Sequence, residues 1–311
     1  MSFGNAESPS PLNALSNGLA DAVAAVSNSV IAVQGRRRFS CSGFQWREGI
    51  FITADYVLKR EGDLTVTLPN GETVVAELVG RDPSIDLVVL RLEGTDLPLP
   101  ERSDLTQLRV GQIAIAAGRS PETGLSAGLG IISNLGGAWR TMQGRSIDRF
   151  IRPDISLYPT LLGGPLVDTQ GRVIGMNLSG PRSWPITVPV ETLDRVVNAL
   201  LQNGRIARGY IGVGLQPVEI PQAQQEALGL SGNTGVLVVS VEPGSPADQA
   251  GVLIGDIVLA LGDHPVASLQ NVQAVLGPET VGQSLSAQLI RGGQRIDVTL
   301  VVGERPQRQG C

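Results

Sequence analysis

A mainly β chain of two domains is what this sequence predicts, and three observations carry the expectation. At 311 residues the chain is long for a single core. Its 39 glycines and 20 prolines, with only 4% aromatic residues, suit short strands joined by many turns. Strand-like apolar runs also recur at short, regular intervals, which argues for barrels or a sandwich rather than a βαβ fold.

The elements follow in order. Residues 1–11 are polar and rich in serine and proline, as in a mobile N-terminus. From Leu12 to Val26 the apolar residues Leu15, Leu19, Val23 and Val26 fall at helical spacing and predict a short amphipathic helix. "VIAVQ" then begins a strand series that continues through "SGFQW", "GIFIT", "LTVTL", "TVVAELVG", "DLVVLRL", "QIAIAAG", "GLGIIS", "DRFIRP", "GRVIGMN" and "PITVPV". The turn "PNG" at Pro69 to Gly71 reads as a hairpin. "VETLDRVVNALLQNG" is a helix with Leu193, Val196, Val197, Leu200 and Leu201 on its apolar face, ending at Gly204 as a left-handed cap. The first domain therefore spans 12–204, a second of mixed strands and short helices spans 205–303, and 304–311 form a tail. In the second, strands are expected at 211–216, 235–241, 256–261, 284–290 and 295–302, and helices at 221–228, 246–250 and 269–276.

A net charge of −5 argues against a nucleic-acid binder, which usually presents a basic face. The one tight basic run, "GRRRF" at 35–39, reads as a solvated strand end or turn. Cys41 and Cys311 lie at opposite ends of the chain, form no disulfide framework and offer no metal-ligand spacing, so neither metal nor cofactor is expected. No run of about 18 apolar residues exists to span a membrane. The first 26 residues lack the basic n-region of a signal peptide, so the expected location is cytoplasmic, or periplasmic if the N-terminus was trimmed.

Two sets of motifs then resemble one family. "RGYIGV" at 208–213 and "VEPGSPADQAGVLIGDIVLALGDHPVASLQNV" resemble the PDZ domain attached to HtrA/Deg proteases, a likeness that runs over almost all of 208–302. "RDPSIDLVVLRL", "RVGQIAIAAGRSP", "GIISNLGG" and "YPTLLGGPLVDTQGRVIGMN" resemble the trypsin-like protease domain of the same family, from about Asp21 to Gly204. The resemblance implies a chymotrypsin/trypsin-like double β-barrel followed by an α+β PDZ domain. It also implies homo-oligomers, trimers in this family, or hetero-oligomers with an active relative.

The resemblance places the triad aspartate at Asp86, but Tyr56 stands where the histidine normally follows "GIFITAD", and Leu162 where the serine precedes Gly-Gly-Pro. A serine hydrolase needs an oxygen nucleophile and a base that exchanges its proton. Leu162 has no lone pair, and a phenol with a pKa of about 10 is a poor base at neutral pH. The only histidine, His264, sits in a turn of the second domain, and Cys41, Ser156 and Thr160 have no evident base. The expectation is therefore a pseudoprotease, an inactive homologue of the HtrA-type serine endopeptidases. Thr160, Leu161, Gly163 and Gly164 are then the remnant of an oxyanion loop, with the N–H groups of Thr160 and Leu162 at the oxyanion positions. Asp86 is expected either to hydrogen-bond the Tyr56 hydroxyl or nearby backbone N–H groups, or to sit solvated in an altered cleft.

The peptide-binding features look intact. The resemblance implies that the N–H groups of Ile211, Gly212 and Val213 hold a terminal carboxylate while the peptide adds as a strand. Tyr210 and Ile211 then line the apolar pocket, and Val272 and Leu276 on the 269–276 helix either face the groove or belong to the core. The expected function is a non-catalytic scaffold, adaptor or chaperone that binds proteins or peptides with apolar C-termini. The alternatives are an endopeptidase with displaced catalytic residues and an inactive regulatory subunit of an active oligomer.

Overall fold

A computed structural model describes residues 10–36, 39–58, 64–95, 97–141, 146–180, 183–205, 209–230 and 232–304. Cys311, Arg208, Arg37, Arg38 and most of the expected tail lie outside the described residues. The chain is mostly β and divides into two compact units between Arg205 and Ile206.

The first unit opens with α1 (Pro11–Ser27), which Ser10 caps by accepting a hydrogen bond from the Asn13 N–H at 3.3 Å. Of the expected apolar face, Val26 is buried, Leu19 and Val23 are half-buried and Leu15 stays exposed, while Ala22 is buried beside them. Seven strands follow: β1 (Val30–Arg36), β2 (Phe39–Arg47), β3 (Ile50–Ala54), β4 (Thr65–Thr67), β5 (Thr73–Val75), β6 (Glu77–Asp82) and β7 (Leu87–Arg91). They form one antiparallel sheet in the order β5-β4-β1-β2-β3-β7-β6. The "PNG" turn closes the β4–β5 hairpin, and "TVVAELVG" splits at Ala76 into two strands. Ile31, Val33, Cys41, Phe51, Val66, Val88 and Leu90 fill the core of this sheet.

A second group is β8 (Ile113–Ser120), β9 (Gly124–Gly136), β10 (Trp139–Arg140), β11 (Ser146–Ile147), β12 (Phe150–Asp154), β13 (Pro165–Val167), β14 (Val173–Ser179) and β15 (Pro185–Pro189). Six of these close a barrel in the cyclic order β12-β15-β14-β13-β8-β9, while β10 and β11 pair separately. Helix α2 (Val190–Asn203) buries Leu193, Val196, Val197 and Leu200 and ends at Gly204 with φ 67°. A backbone that must turn left-handed to close a helix favours glycine, which has no Cβ to clash.

The second unit comprises β16 (Gly209–Tyr210), β17 (Val213–Glu219), α3 (Gln222–Leu228), β18 (Thr234–Val241), α4 (Pro246–Gln249), β19 (Ile257–Leu261), β20 (His264–Pro265), α5 (Leu269–Val275), β21 (Ser284–Arg291), β22 (Gln294–Val301) and β23 (Gly303–Glu304). Its main sheet runs β17-β18-β19-β21-β22, so β17 is an edge strand. The first strand starts at Val213 rather than at the expected Ile211, because Gly212 takes φ 77° and breaks the extended run. His264 is exposed in β20.

Candidate functional site

In the first unit, β3 delivers Tyr56 to a short 3₁₀ turn, Asp55–Val57, and the loop before β7 brings Asp86 against it. The Tyr56 N–H donates to Asp86 Oδ1 at 2.6 Å, and the Asp55 N–H donates to the Asp86 carbonyl at 3.2 Å. Of the two expected arrangements, the geometry has the backbone contact. Asp86 takes a left-handed φ of 54°, strained for a residue with a Cβ. Burial, outweighing the bond from Tyr56, pushes its carboxyl up to about 6, with Asp55 adding repulsion. Asp55 is itself raised by burial, although Arg81 Nε lies 2.7 Å from its Oδ1, close in distance but poorly aligned for a hydrogen bond.

Leu162 follows the 3₁₀ turn Pro159–Leu161 and is 9% exposed, whereas Tyr56 is 44% exposed. The carbonyl of Leu162 accepts from the Ser42 N–H at 2.9 Å, and the Ser42 hydroxyl donates to the Thr160 carbonyl at 2.5 Å. Ser42 Oγ in turn accepts from the Arg119 N–H at 2.7 Å. Strand β2 thus anchors the loop through a buried serine that the sequence reading did not single out. Its one signal was a small polar residue between Cys41 and Gly43, and Ser40 and Gln45 in the same strand blunt that signal.

The reading of Thr160 and Leu162 as oxyanion donors is corrected at Leu162. Its N–H donates to the Pro159 carbonyl at 3.2 Å, because the segment closes as a 3₁₀ turn, and the Gly163 N–H donates to the Asn177 carbonyl at 2.8 Å. The Gly164 N–H is also used internally, on the Leu161 carbonyl at 3.3 Å. Asn177 is fully buried, with its Nδ2 unmatched among the described residues. Cys41 is wholly buried in β2 beside Thr53 Oγ1 at 3.2 Å, and burial pushes its thiol up to about 12, so it stays protonated at neutral pH. Ser156 is exposed and Thr160 half-buried.

In the second unit, the loop before β17 holds the predicted peptide-binding residues. Ile211 and Gly212 are buried, and Tyr210 and Val213 are half-buried. A Cβ on Gly212 would overlap the Ser245 side chain and come within 3.0 Å of the Tyr210 hydroxyl, so only glycine closes this turn. Among the described residues, no carbonyl accepts from the N–H of Ile211 or Gly212. Helix α5 packs beside β17, leaving the open strand edge facing the helix. Val272, 4% exposed, belongs to the core of this unit, while Leu276 caps the helix and packs half-buried on the same core. Of the two readings left open for these residues, core packing therefore describes Val272, and Leu276 keeps a partly open face.

Comparison with known proteins adds the class. Residues 41–176 match the trypsin-like peptidase domain, and residues 209–302 match the PDZ domain. A "Probable periplasmic serine endoprotease DegP-like" from Halomonas elongata is 31% identical over 280 residues, covering 88% of this chain and 58% of the relative. The like-named protein of Pseudomonas putida is 29% identical over 265 residues, covering 83% of this chain and 54% of its own length. The chain thus spans about half the length of these curated relatives. Among solved structures, a serine endoprotease from Yersinia pestis is 28% identical with a TM-score of 0.74, covering 96% of this chain and all of the other. The HtrA-type protease AlgW with a decapeptide matches at 25% identity and TM-score 0.74, covering 93% of this chain and 99% of that one.

These findings overturn two expectations. The expectation of an inactive homologue rested on two side chains, Tyr56 and Leu162, whereas the relatives and structural neighbours are named serine endoproteases and point to a protease. The cytoplasmic expectation rested on the first 26 residues, whereas the curated relatives are named periplasmic and point to that compartment.

Proposed function

We propose, for a chain that belongs to the HtrA family and carries a trypsin-like peptidase domain with a PDZ domain, that its second unit captures polypeptides by apolar C-terminal ends and supplies them to the first. The observation that carries this reading is the open edge of β17, preceded by a loop whose Ile211 and Gly212 N–H groups have no acceptor among the described residues. A strand added at that edge would satisfy its backbone groups on β17 and place its terminal carboxylate on the loop. Tyr210, Val213 and Leu276 offer half-buried apolar surface for the last side chain. That the HtrA-type protease AlgW was solved with a decapeptide supports peptide recognition in this architecture.

The test is titration of a fluorescent peptide with an apolar C-terminal residue against the same peptide ending in an amide. Amidation removes charge-assisted bonds to the loop and is expected to weaken binding about tenfold or more. Gly212→Ala, which drives a Cβ into Ser245, is expected to abolish binding of the free acid. Equal affinity for acid and amide would remove the reading.

Hydrolysis, the activity in the relatives' names, is answered by a separate assay. Asp86 accepts from the Tyr56 N–H, and Leu162, which the resemblance puts at the nucleophile position, carries no side-chain oxygen. Cleavage of unfolded casein that is lost in Asp86→Ala assigns the relatives' activity to this chain, and intact casein restricts it to capture. Trimer formation, implied by the family resemblance, belongs to the same reading and is checked by light scattering on the purified chain.

A further inference from the structure

We propose that the groove beside β17 selects basic C-terminal segments: an apolar last residue, preceded by lysine or arginine. The proposal rests on the reading above that this groove takes C-termini, and it adds the chemistry of what precedes the terminus. Its basis is an uneven charge distribution. Residues 209–304 hold nine Asp and Glu against two Arg and no Lys, although the whole chain is only −5. Counted over 206–311, Arg208, Arg305 and Arg308 also belong to the second unit and cut that acidic excess from seven to four; the two arginines within 209–304 are Arg291 and Arg295.

Both of those arginines are placed away from the groove. Arg291 is tied to the buried Asp256 by two bonds, Nε to Oδ1 at 2.8 Å and Nη2 to Oδ2 at 2.7 Å. Arg295 lies on β22, at the opposite edge of the sheet from β17, with its Nη2 on Gln288 Oε1 at 3.2 Å. Neither β17 nor α5 contains a cationic residue.

Carboxylates stand at both ends of the groove instead. At the loop end, the Glu242 N–H donates to the Gly212 carbonyl at 2.8 Å, and its carboxylate accepts from the Tyr210 hydroxyl. Glu279 follows α5 in the 3₁₀ turn Pro278–Thr280. At the far end, exposed Glu219 closes β17, and Glu226 follows on α3. A strand laid antiparallel to β17 with its carboxylate at Gly212 runs its upstream residues towards Glu219, about six residues before its end. Basic side chains there meet complementary charge. Acidic ones meet several carboxylates, with no cation on β17 or α5 to offset them. Such complementarity sets partner choice and association rate, and salt screens it.

Three labelled decapeptides sharing one apolar C-terminal triplet test this on the full chain, with Lys/Arg, Ser/Gln or Asp/Glu upstream. The basic peptide is expected to bind about tenfold tighter than the acidic one at low salt, with the gap closing at high salt. Glu219→Gln combined with Glu226→Gln is expected to narrow the gap while leaving the neutral peptide's affinity unchanged. Equal affinities, or a preference that persists at high salt, would overturn the charge proposal while leaving the groove reading in place. Failure of all three peptides to bind removes the groove reading itself, and this proposal with it. The salt series uses the unaltered protein, so the outcome does not depend on whether the double variant folds.

Discussion

Replacing Asp86 by asparagine is expected to make the first unit more stable at pH 8 and to leave it nearly unchanged at pH 4. The carboxyl is pushed from an ordinary 3.8 up to about 6, chiefly by burial. The folded state therefore binds a proton between these values that the unfolded chain has already released. Stability falls as pH rises from about 4 to about 6, and the cost of the buried charge is fully present above that window. A shift of about two pKa units corresponds to at most about 3 kcal/mol. Asparagine removes the charge but keeps an oxygen to accept the Tyr56 N–H, and it tolerates the left-handed φ better than most residues. For a unit of this size the expected rise in Tm is about 6 °C at pH 8. Melting curves of the two proteins at pH 4 and pH 8 decide it. An equal shift at both pH values would mean that the effect comes from the backbone strain rather than the charge.

Gly163→Ala is expected to be strongly destabilising to the first unit, because it combines a left-handed backbone with a steric overlap. Gly163 takes φ 75°, and an added Cβ would overlap the Ser42 carbonyl and lie 2.9 Å from Ala54 N and 3.0 Å from Thr53 Oγ1. These are backbone or buried atoms held by their own bonds, including the Thr53 hydroxyl on the Ser42 carbonyl at 2.7 Å, so none yields cheaply. The strain of left-handed backbone alone costs roughly 1–2 kcal/mol, and the overlap raises the total to about 4 kcal/mol or more. Gly124 separates the two contributions, because it has φ 74° with open space around its Cβ position. Gly124→Ala is expected to cost only about 1 kcal/mol. Denaturant midpoints of the two variants report the difference. Similar midpoints would show that the loop moves aside and that the close approach between β2 and the loop is not a constraint.

The strands were legible because each buried run is short, apolar and bounded by turn residues, and helix α2 because its apolar face repeats every three to four residues before a capping glycine. Tyr56, Asp86 and Leu162 were read as motif positions from local sequence order and the resemblance alone. The amphipathic stripe of α1 showed the limit of that reasoning. Periodicity marks which side of a helix is apolar, but Leu15 of that stripe remains exposed while Val26 is buried, because burial depends on whether another element arrives to cover it.

By itself, then, the sequence determined a two-domain β-rich chain and the kinds of side chain at its motif positions, because these depend on residue order alone. Only the tertiary structure decided what those groups do. Ser42, more than a hundred residues from Thr160, fastens the loop at Leu162, and the backbone N–H of Tyr56, rather than any side-chain base, meets Asp86. The same distinction separates Val272, drawn into the core, from the β17 edge left open beside it. Burial and hydrogen-bond partners are set by segments distant in sequence, and a carboxyl near 6 or a thiol near 12 follows from that packing, not from the residue's neighbours along the chain.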